Sequence, residues 1–187
     1  MRIIGGQYSG RRLASLGGVR TRPTAERVRE ALFNMWQERV VGARFWDAYA
    51  GTGAMGLEAV SRGAQLAVFT EVDRAALTTL HQNVERLGLT AQVEVWPVSA
   101  EEFVTRCLTQ GRRFDLIFAD PPWRAGVSTM VSQHIGAVLE SRGWLVLESR
   151  QDTPTLVLGG LSVAWSRRYG DTRLTGYQRI LSDRAEV

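Results

Sequence analysis

Asp47-Ala48-Tyr49-Ala50-Gly51-Thr52-Gly53-Ala54-Met55-Gly56 is the stretch on which the reading of this chain turns. It ends an apolar run at 43–47 and opens a helical pattern at 54–62, so it reads as strand, tight turn and helix start. Gly51 and Gly53 allow the backbone to turn sharply and to approach a ligand where a Cβ would collide. Glu71 closes the next apolar run, 66–70, and stands twenty residues beyond Gly51. A carboxylate at that place can accept hydrogen bonds from both hydroxyls of a ribose.

Outward from this stretch the rhythm is strand, then helix, repeated. Strands are expected at 43–47, 66–70, 93–96, 115–119 and 144–147, and helices at 54–62, 74–87, 100–110 and 127–140. Several of the strands are almost wholly apolar, as a parallel sheet covered on both faces requires. Alternating units of this kind predict a doubly wound α/β sheet with right-handed crossovers. The tail departs from the rhythm. Segments 161–168 and 175–181 flank only the turn Tyr169-Gly170-Asp171-Thr172, and they predict an antiparallel hairpin added to the sheet. Upstream, Thr24 is the expected N-cap of a helix reaching Val40, with Val28, Ala31, Leu32, Met35 and Trp36 on its inner face. Asp73 is the expected N-cap of the helix at 74–87. The chain reads as one domain, 1–187: a basic arm or hairpin at 1–23, which need not be ordered without a partner, and a core at 24–187.

All 23 basic residues are arginine, and the formal net charge is +4. Residues 1–29 hold seven arginines against Glu26 alone, a surplus of six on a body that is otherwise nearly neutral. A basic arm of this kind suits a phosphate-rich partner, and Arg11, Arg12, Arg20 and Arg22 are the candidates for nucleic-acid backbone contacts. Total absence of lysine also fits a compositional bias, so clustering carries more weight than count. Arg27 and Arg29 have a competing role in ion pairs with acids on their own helix. Arg167, Arg168 and Arg173, beside the terminal hairpin, read as surface charges. No run of about 18 apolar residues suggests a membrane span, and the first residues lack a signal-peptide pattern. Cys107 stands alone, reads as a small buried residue, and fits a reducing cytoplasm. His81 and His134 lack ligand spacing, so no metal site is expected.

Phe114-Asp115-Leu116-Ile117-Phe118-Ala119 is an apolar strand that ends in Asp120-Pro121-Pro122-Trp123. The prolines forbid continuing the ladder and set a stiff turn at the strand's carboxyl end, the edge where α/β sheets bind ligands. Asp120 and the Pro121 carbonyl offer two acceptors beside the flat ring of Trp123. An exocyclic amine on guanine or adenine fits that set: acceptors on its two N–H groups aim the nitrogen lone pair, and the ring stacks the base. Gly51, Gly53 and Gly56 alone would equally suggest a dinucleotide. Asp47 points instead to S-adenosylmethionine, whose amino group it could hold and beside whose cationic end a carboxylate is favourable. A methyl-transfer site is present, moreover, and a hydride-transfer site is not.

These segments, taken in order with Arg2-Ile3-Ile4-Gly5-Gly6, Arg22-Pro23-Thr24, Arg27-Val28-Arg29-Glu30-Ala31-Leu32-Phe33-Asn34, Glu71-Val72-Asp73 and Tyr169-Gly170-Asp171-Thr172, resemble the bacterial small-subunit methyltransferase D family, which methylates N2 of a guanine in 16S ribosomal RNA. The resemblance implies a Rossmann-like class I methyltransferase fold with a seven-stranded, mostly parallel sheet. It implies S-adenosylmethionine as methyl donor and 16S ribosomal RNA in an assembling small subunit as substrate, with a monomer expected. Carried onto matching positions, Asp47, Gly51 and Gly53 would line the methionine end of the cofactor, Glu71 its ribose, and Ala100 its adenine. Asp120, Pro121, Pro122 and Trp123 would hold the target base. Trp123 departs from the Phe or Tyr more usual there. An adenine-N6 methyltransferase and a non-catalytic RNA-binding module are the competing readings.

Overall fold

The computed structural model describes residues 1–16, 23–122 and 126–180. Its strands are β1 (Arg44–Asp47), β2 (Leu66–Thr70), β3 (Val93–Trp96), β4 (Phe114–Ala119), β5 (Leu139–Arg150), β6 (Leu161–Tyr169) and β7 (Thr172–Arg179). They form one seven-stranded sheet in the order β3-β2-β1-β4-β5-β7-β6. The first five strands pair in parallel, and β7 runs antiparallel between β5 and β6. Helices α1 (Pro23–Trp36), α2 (Ala54–Ser61), α3 (Arg74–Leu87), α4 (Ala100–Gln110) and α5 (Thr129–His134) connect and cover it. This is the doubly wound sheet with a terminal antiparallel hairpin that the strand–helix rhythm anticipated, and the Rossmann-like fold that the resemblance implied.

Strand alternation sorts the core into two faces. Phe45, Leu116, Phe118 and Val146 pack with Val28, Leu32, Phe33 and Trp36 of α1. Trp46, Ile117, Leu145 and Leu147 face the other way, against Phe103, Val104 and Cys107 of α4 and Val131 of α5. Cys107 behaves as the small buried residue expected, and burial pushes its thiol up to about 11. Among the described residues no helix is long and apolar enough to cross a membrane.

Several boundaries differ from expectation: β5 spans Leu139–Arg150 instead of the expected 144–147, the last strand Thr172–Arg179 instead of the expected 175–181, and the helices differ too. Helix α1 begins at Pro23, so Thr24 lies inside the first turn and is not the N-cap; proline suits that first position because its missing N–H would be unpaired there anyway. The same helix stops at Trp36, and a 3-10 turn at Gln37–Val40 follows, with Gln37 at a φ of 39°. The helix expected over 127–140 shrinks to α5 and a 3-10 turn at Ile135–Val138, because Leu139 already pairs with Phe114 at the edge of β4.

Of the two forms expected for the amino-terminal segment, arm or hairpin, the structure shows the hairpin. Residues 1–14 form a docked hairpin: Arg2 and Arg12 bridge antiparallel, and Ile3 (0% exposed) and Leu13 (6%) are buried. Glu58 of α2 anchors it. Its carboxylate accepts from Ile4 N and Gly5 N, both at 2.8 Å, and from Arg62 Nε at 2.8 Å, and it lies 3.3 Å from Arg29 Nε. Arg29 therefore pairs with an acid of α2, not of its own helix, and also donates to the Arg2 carbonyl at 2.6 Å. Asn83 of α3, fully buried, exchanges hydrogen bonds with Ala14 and donates to the Thr52 carbonyl at 3.0 Å, tying hairpin to glycine loop. Removing one partner of a buried ion pair strands the other charge. Glu58→Ala should thus lose about 3–5 kcal/mol of stability by urea unfolding, whereas a loss under about 1 kcal/mol would show that the hairpin is not held this way.

Candidate active site

Strand order reverses between β1 and β4: the chain moves outward on one side through β2 and β3, then returns to the other side of β1 as β4 and β5. A crevice opens at the carboxyl ends of the strands at such a point. The glycine loop leaves from β1 and the Asp120-Pro121-Pro122 corner from β4, so the pairing Asp47↔Phe118 brings both to that crevice. Ala48 N donates to the Phe118 carbonyl at 2.9 Å and joins the two exits directly.

The loop is held open by its own chemistry. Gly51 and Gly53 take φ of 53° and 86°, a region where side chains with a Cβ are strained. A Cβ on Gly53 would also come within 2.2 Å of Leu80 Cδ1. Glu71 accepts from Gly51 N at 2.7 Å, Val72 N at 2.7 Å and Asp73 N at 2.8 Å. It is a strut for the loop, and a carboxylate has about four acceptor positions, so a ligand hydroxyl still finds one. Asp73 caps α3 as expected, accepting from Ala76 N at 2.8 Å. Asp47 is buried (1% exposed) and accepts from Gly56 N in the first turn of α2 at 3.1 Å.

A cleft of about 540 Å³ runs past the loop, lined by Gly51, Glu71, Ala100, Asp120, Pro121 and Pro122 among others. Its size lies within the range of cofactor sites, about 300–1,000 Å³. A second recess of about 220 Å³ lies beneath the loop, with Arg29, Asp47, Asp120 and Glu148 in its wall. Tyr49, Gly51 and Asp120 line both, so the two spaces meet at Asp120. The cleft fits an adenosyl group: Glu71 at one end, the small Ala100 in the wall, and room a larger side chain would fill. The Pro122 carbonyl accepts from Gly126 N at 2.9 Å, whereas among the described residues none donates to the Pro121 carbonyl.

The carboxyls at this edge share one electrostatic condition. Burial pushes Asp47 up to about 7, with Asp120 and Glu71 adding to the rise. Asp120 is exposed at the cleft floor, and partial desolvation by the surrounding protein raises it to about 6. Glu148 is pushed up to about 8 by burial and by Asp120, against a hydrogen bond with Thr172. Three acids that resist ionisation mark an edge ready for positive charge or hydrogen-bond donors.

Of the residues singled out from sequence, Asp47, Gly51, Gly53, Glu71, Ala100, Asp120, Pro121 and Pro122 cluster at this crevice. Trp123, Arg20 and Arg22 lie outside the described residues. Arg11 and Arg12 are exposed on the hairpin, away from the crevice lining; Arg11 donates to the Arg86 carbonyl at 3.1 Å, close to the C-terminal end of α3. Arg173 is half-buried and donates to the Thr153 carbonyl, so it is not the free surface charge expected. Tyr49 and Glu148 were missed. Glu148 had a signal: it is the first polar residue after the apolar 144–147 run, at the carboxyl end of a buried strand.

Residues 1–178 match the family described as conserved hypothetical protein 95. The chain is 39% identical over 149 residues to ribosomal RNA small subunit methyltransferase D of Escherichia coli K12, covering 80% of this chain and 71% of the relative. It is 32% identical over 163 residues to the protein of the same name from Haemophilus influenzae, covering 83% and 82%. A solved structure of a hypothetical protein from Thermus thermophilus superposes with a TM-score of 0.81 at 32% identity, covering 96% of this chain and 99% of that one.

The raised carboxyls have a consequence for stability. Asp47, Asp120 and Glu148 hold protons more tightly folded than unfolded, so their favourable contribution is complete below the ordinary carboxylate range and is lost as pH rises through about 6 to 8. Glu148→Gln and Asp120→Asn should raise Tm more at pH 8 than at pH 5, on the order of 2–4 °C per kcal/mol relieved. Equal shifts at both pH values, read by calorimetry, would refute the assignment.

Proposed function

We propose that this chain, a methyltransferase belonging to the conserved hypothetical protein 95 family, moves a methyl group from S-adenosylmethionine to the exocyclic N2 amine of a guanine in small-subunit ribosomal RNA. The observation that carries the proposal is the single cleft lined by Gly51, Glu71 and Ala100 on one side and by Asp120 and Pro121 on the other. Relatives named as ribosomal RNA small subunit methyltransferases support the choice of RNA. The enzyme works as a one-domain monomer in the cytoplasm, on RNA in an assembling subunit.

S-adenosylmethionine supplies a methyl carbon on a cationic sulfur that leaves with its electron pair as a neutral thioether. The protein's own part is placement. Glu71 would accept from a ribose hydroxyl, the glycine loop would admit the methionine end, and Asp47 would offer its carboxylate to the amino group there. Asp120 and the Pro121 carbonyl accept the two N–H groups of the target amine, turning its lone pair toward the donor. Trp123 stacks the base, which is unpaired or drawn out of its helix. As the new C–N bond forms, one N–H proton passes to the Asp120 carboxylate and then to solvent. Orientation and proximity account for most of the rate.

Incubation with labelled donor and immature small subunits should yield N2-methylguanine on nucleoside analysis; N6-methyladenine would overturn the proposal. Asp120→Ala should lower kcat about 100-fold or more, with donor affinity changed less than about threefold, because it grips the amine and not the donor. A parallel loss of donor binding would show its role misassigned. Arg12→Ala should reduce the salt slope of RNA binding by about 0.7–0.9, and an unchanged slope would remove Arg12 from the interface. Point substitution is the correct probe here, since deleting the hairpin would also remove Ile3 and Leu13 from the core.

A further inference from the structure

Glu148 has no part in the placement described above, although it stands at the same edge. The parallel register pairs Phe118 with Val146 and Ala119 with Leu147. The next position in that register puts Asp120 beside Glu148, at the carboxyl ends of neighbouring strands. Both follow the parity of Phe118 and Val146, the face packed on α1, and both line the recess beneath the glycine loop. Glu148 is also the link between that recess and a narrow groove behind the corner, lined by Pro121, Gly126, Thr175 and Tyr177. Its backbone is fixed from the far side, where Leu174 of β7 pairs with it. Thr172, where β7 begins after the turn at Tyr169, favours the charged form of the Glu148 carboxyl. That turn, singled out in the sequence but without a role so far, joins β6 to the strand that pairs with β5 at Glu148.

We infer that Glu148 is the residue that selects guanine, by accepting the ring N1–H while Asp120 and the Pro121 carbonyl accept the two hydrogens of the N2 amine. This rests on the functional reading above and adds the basis of its base choice. Guanine presents three donor hydrogens along this edge, one on N1 and two on N2, and the corner presents three acceptors. Adenine presents its amine beside a ring nitrogen that carries a lone pair. An ionised carboxylate facing that lone pair has nothing to accept and repels it. Selection thus comes from an unfavourable contact with the wrong base as much as from a good one with the right base. Burial and Asp120 hold Glu148 near 8 in the free protein, and a positive charge brought beside Asp120 lowers both groups, leaving the edge acceptor-only.

The test uses the full chain and small subunits reconstituted with RNA ligated to carry either guanine or 2-aminopurine at the methylated position. 2-Aminopurine keeps the N2 amine but has a lone pair at N1. The wild-type protein should prefer guanine in kcat/KM. Glu148→Gln offers a donor as well as an acceptor, so the guanine-to-2-aminopurine ratio should fall about tenfold or more. The same ratio of Kd values, measured with a cationic, non-methylating analogue of the donor bound, should fall in parallel. Glu148→Asp should keep the wild-type preference at a lower rate, and it supplies the answer if the glutamine variant does not fold. An unchanged ratio in a folded Glu148→Gln protein, with both substrates slowed alike, overturns the inference and leaves the functional reading intact. Absence of methyl on guanine N2 with the wild-type protein overturns both.

Discussion

The parallel pairing of β1 with β4 is the constraint on which the rest of this molecule depends. Three register pairs, from Phe45↔Leu116 to Asp47↔Phe118, hold together strands that lie far apart in the sequence. Each strand ends in a segment that cannot continue a ladder, glycines after β1 and prolines after β4. The chain is therefore obliged to leave the sheet at the same edge twice, in two different chemistries. One exit is flexible enough to wrap a ligand, and the other is stiff enough to aim acceptors at a neighbour. Moving the register by one residue would turn Asp47 to the opposite face and separate the two.

The amino-terminal hairpin supports that edge from behind. Glu58 gathers two backbone N–H groups and two guanidinium groups in a place with no exposure, an arrangement that is costly unless every acceptor position is used. Three hydrogen bonds fill most of those positions, and the ion pair with Arg29, whose Nε makes no hydrogen bond, ties α1 to α2. Asn83 then carries the restraint from Ala14 to Thr52, inside the glycine loop itself. The loop is held from three directions: by Glu71, by Asp47 at the start of α2, and by the hairpin. Part of the positive charge at the start of the chain thus serves the fold, and Arg29 is engaged wholly inside it.

The sequence made legible whatever depended on local pattern. Apolar runs located β1 to β4, glycines and prolines located the two exits, and Asp73 announced its own cap. Features set by distant partners were hidden. Nothing near Leu139 says that it joins β5, since its reason is Phe114 on another strand. Arginine clustering left arm and hairpin both open, because composition cannot reveal that Glu58 would pair with Arg29 or that Ile3 and Leu13 would be buried. Glu148 was overlooked for a related reason: a single acid after an apolar run looks like a strand end until the register sets it beside Asp120. Candidate residues with a motif around them were found, and those defined by pairing alone were not.

Asp47, Asp120 and Glu148 crowd three acids onto one sheet edge where, among the described residues, cations do not match them in number, and only Asp47 has a backbone partner, Gly56 N, that accounts for its oxygen. Amides at Asp47 and Glu148 would keep the hydrogen-bonding oxygens without the cost, since both carboxyls are desolvated and raised further by Asp120. The unfavourable term becomes useful once something cationic and rich in N–H donors enters the crevice. Desolvation has already occurred in the fold, so the acceptors need no reorganisation when the ligand arrives, and their mutual repulsion is relieved by binding. An edge of neutral groups would hold the empty protein together more firmly and would discriminate less between a base edge of donors and one that alternates. Stability forgone at the carboxyl ends of β1, β4 and β5 therefore reappears as selectivity, and the hairpin and Glu58 keep the fold intact despite the loss.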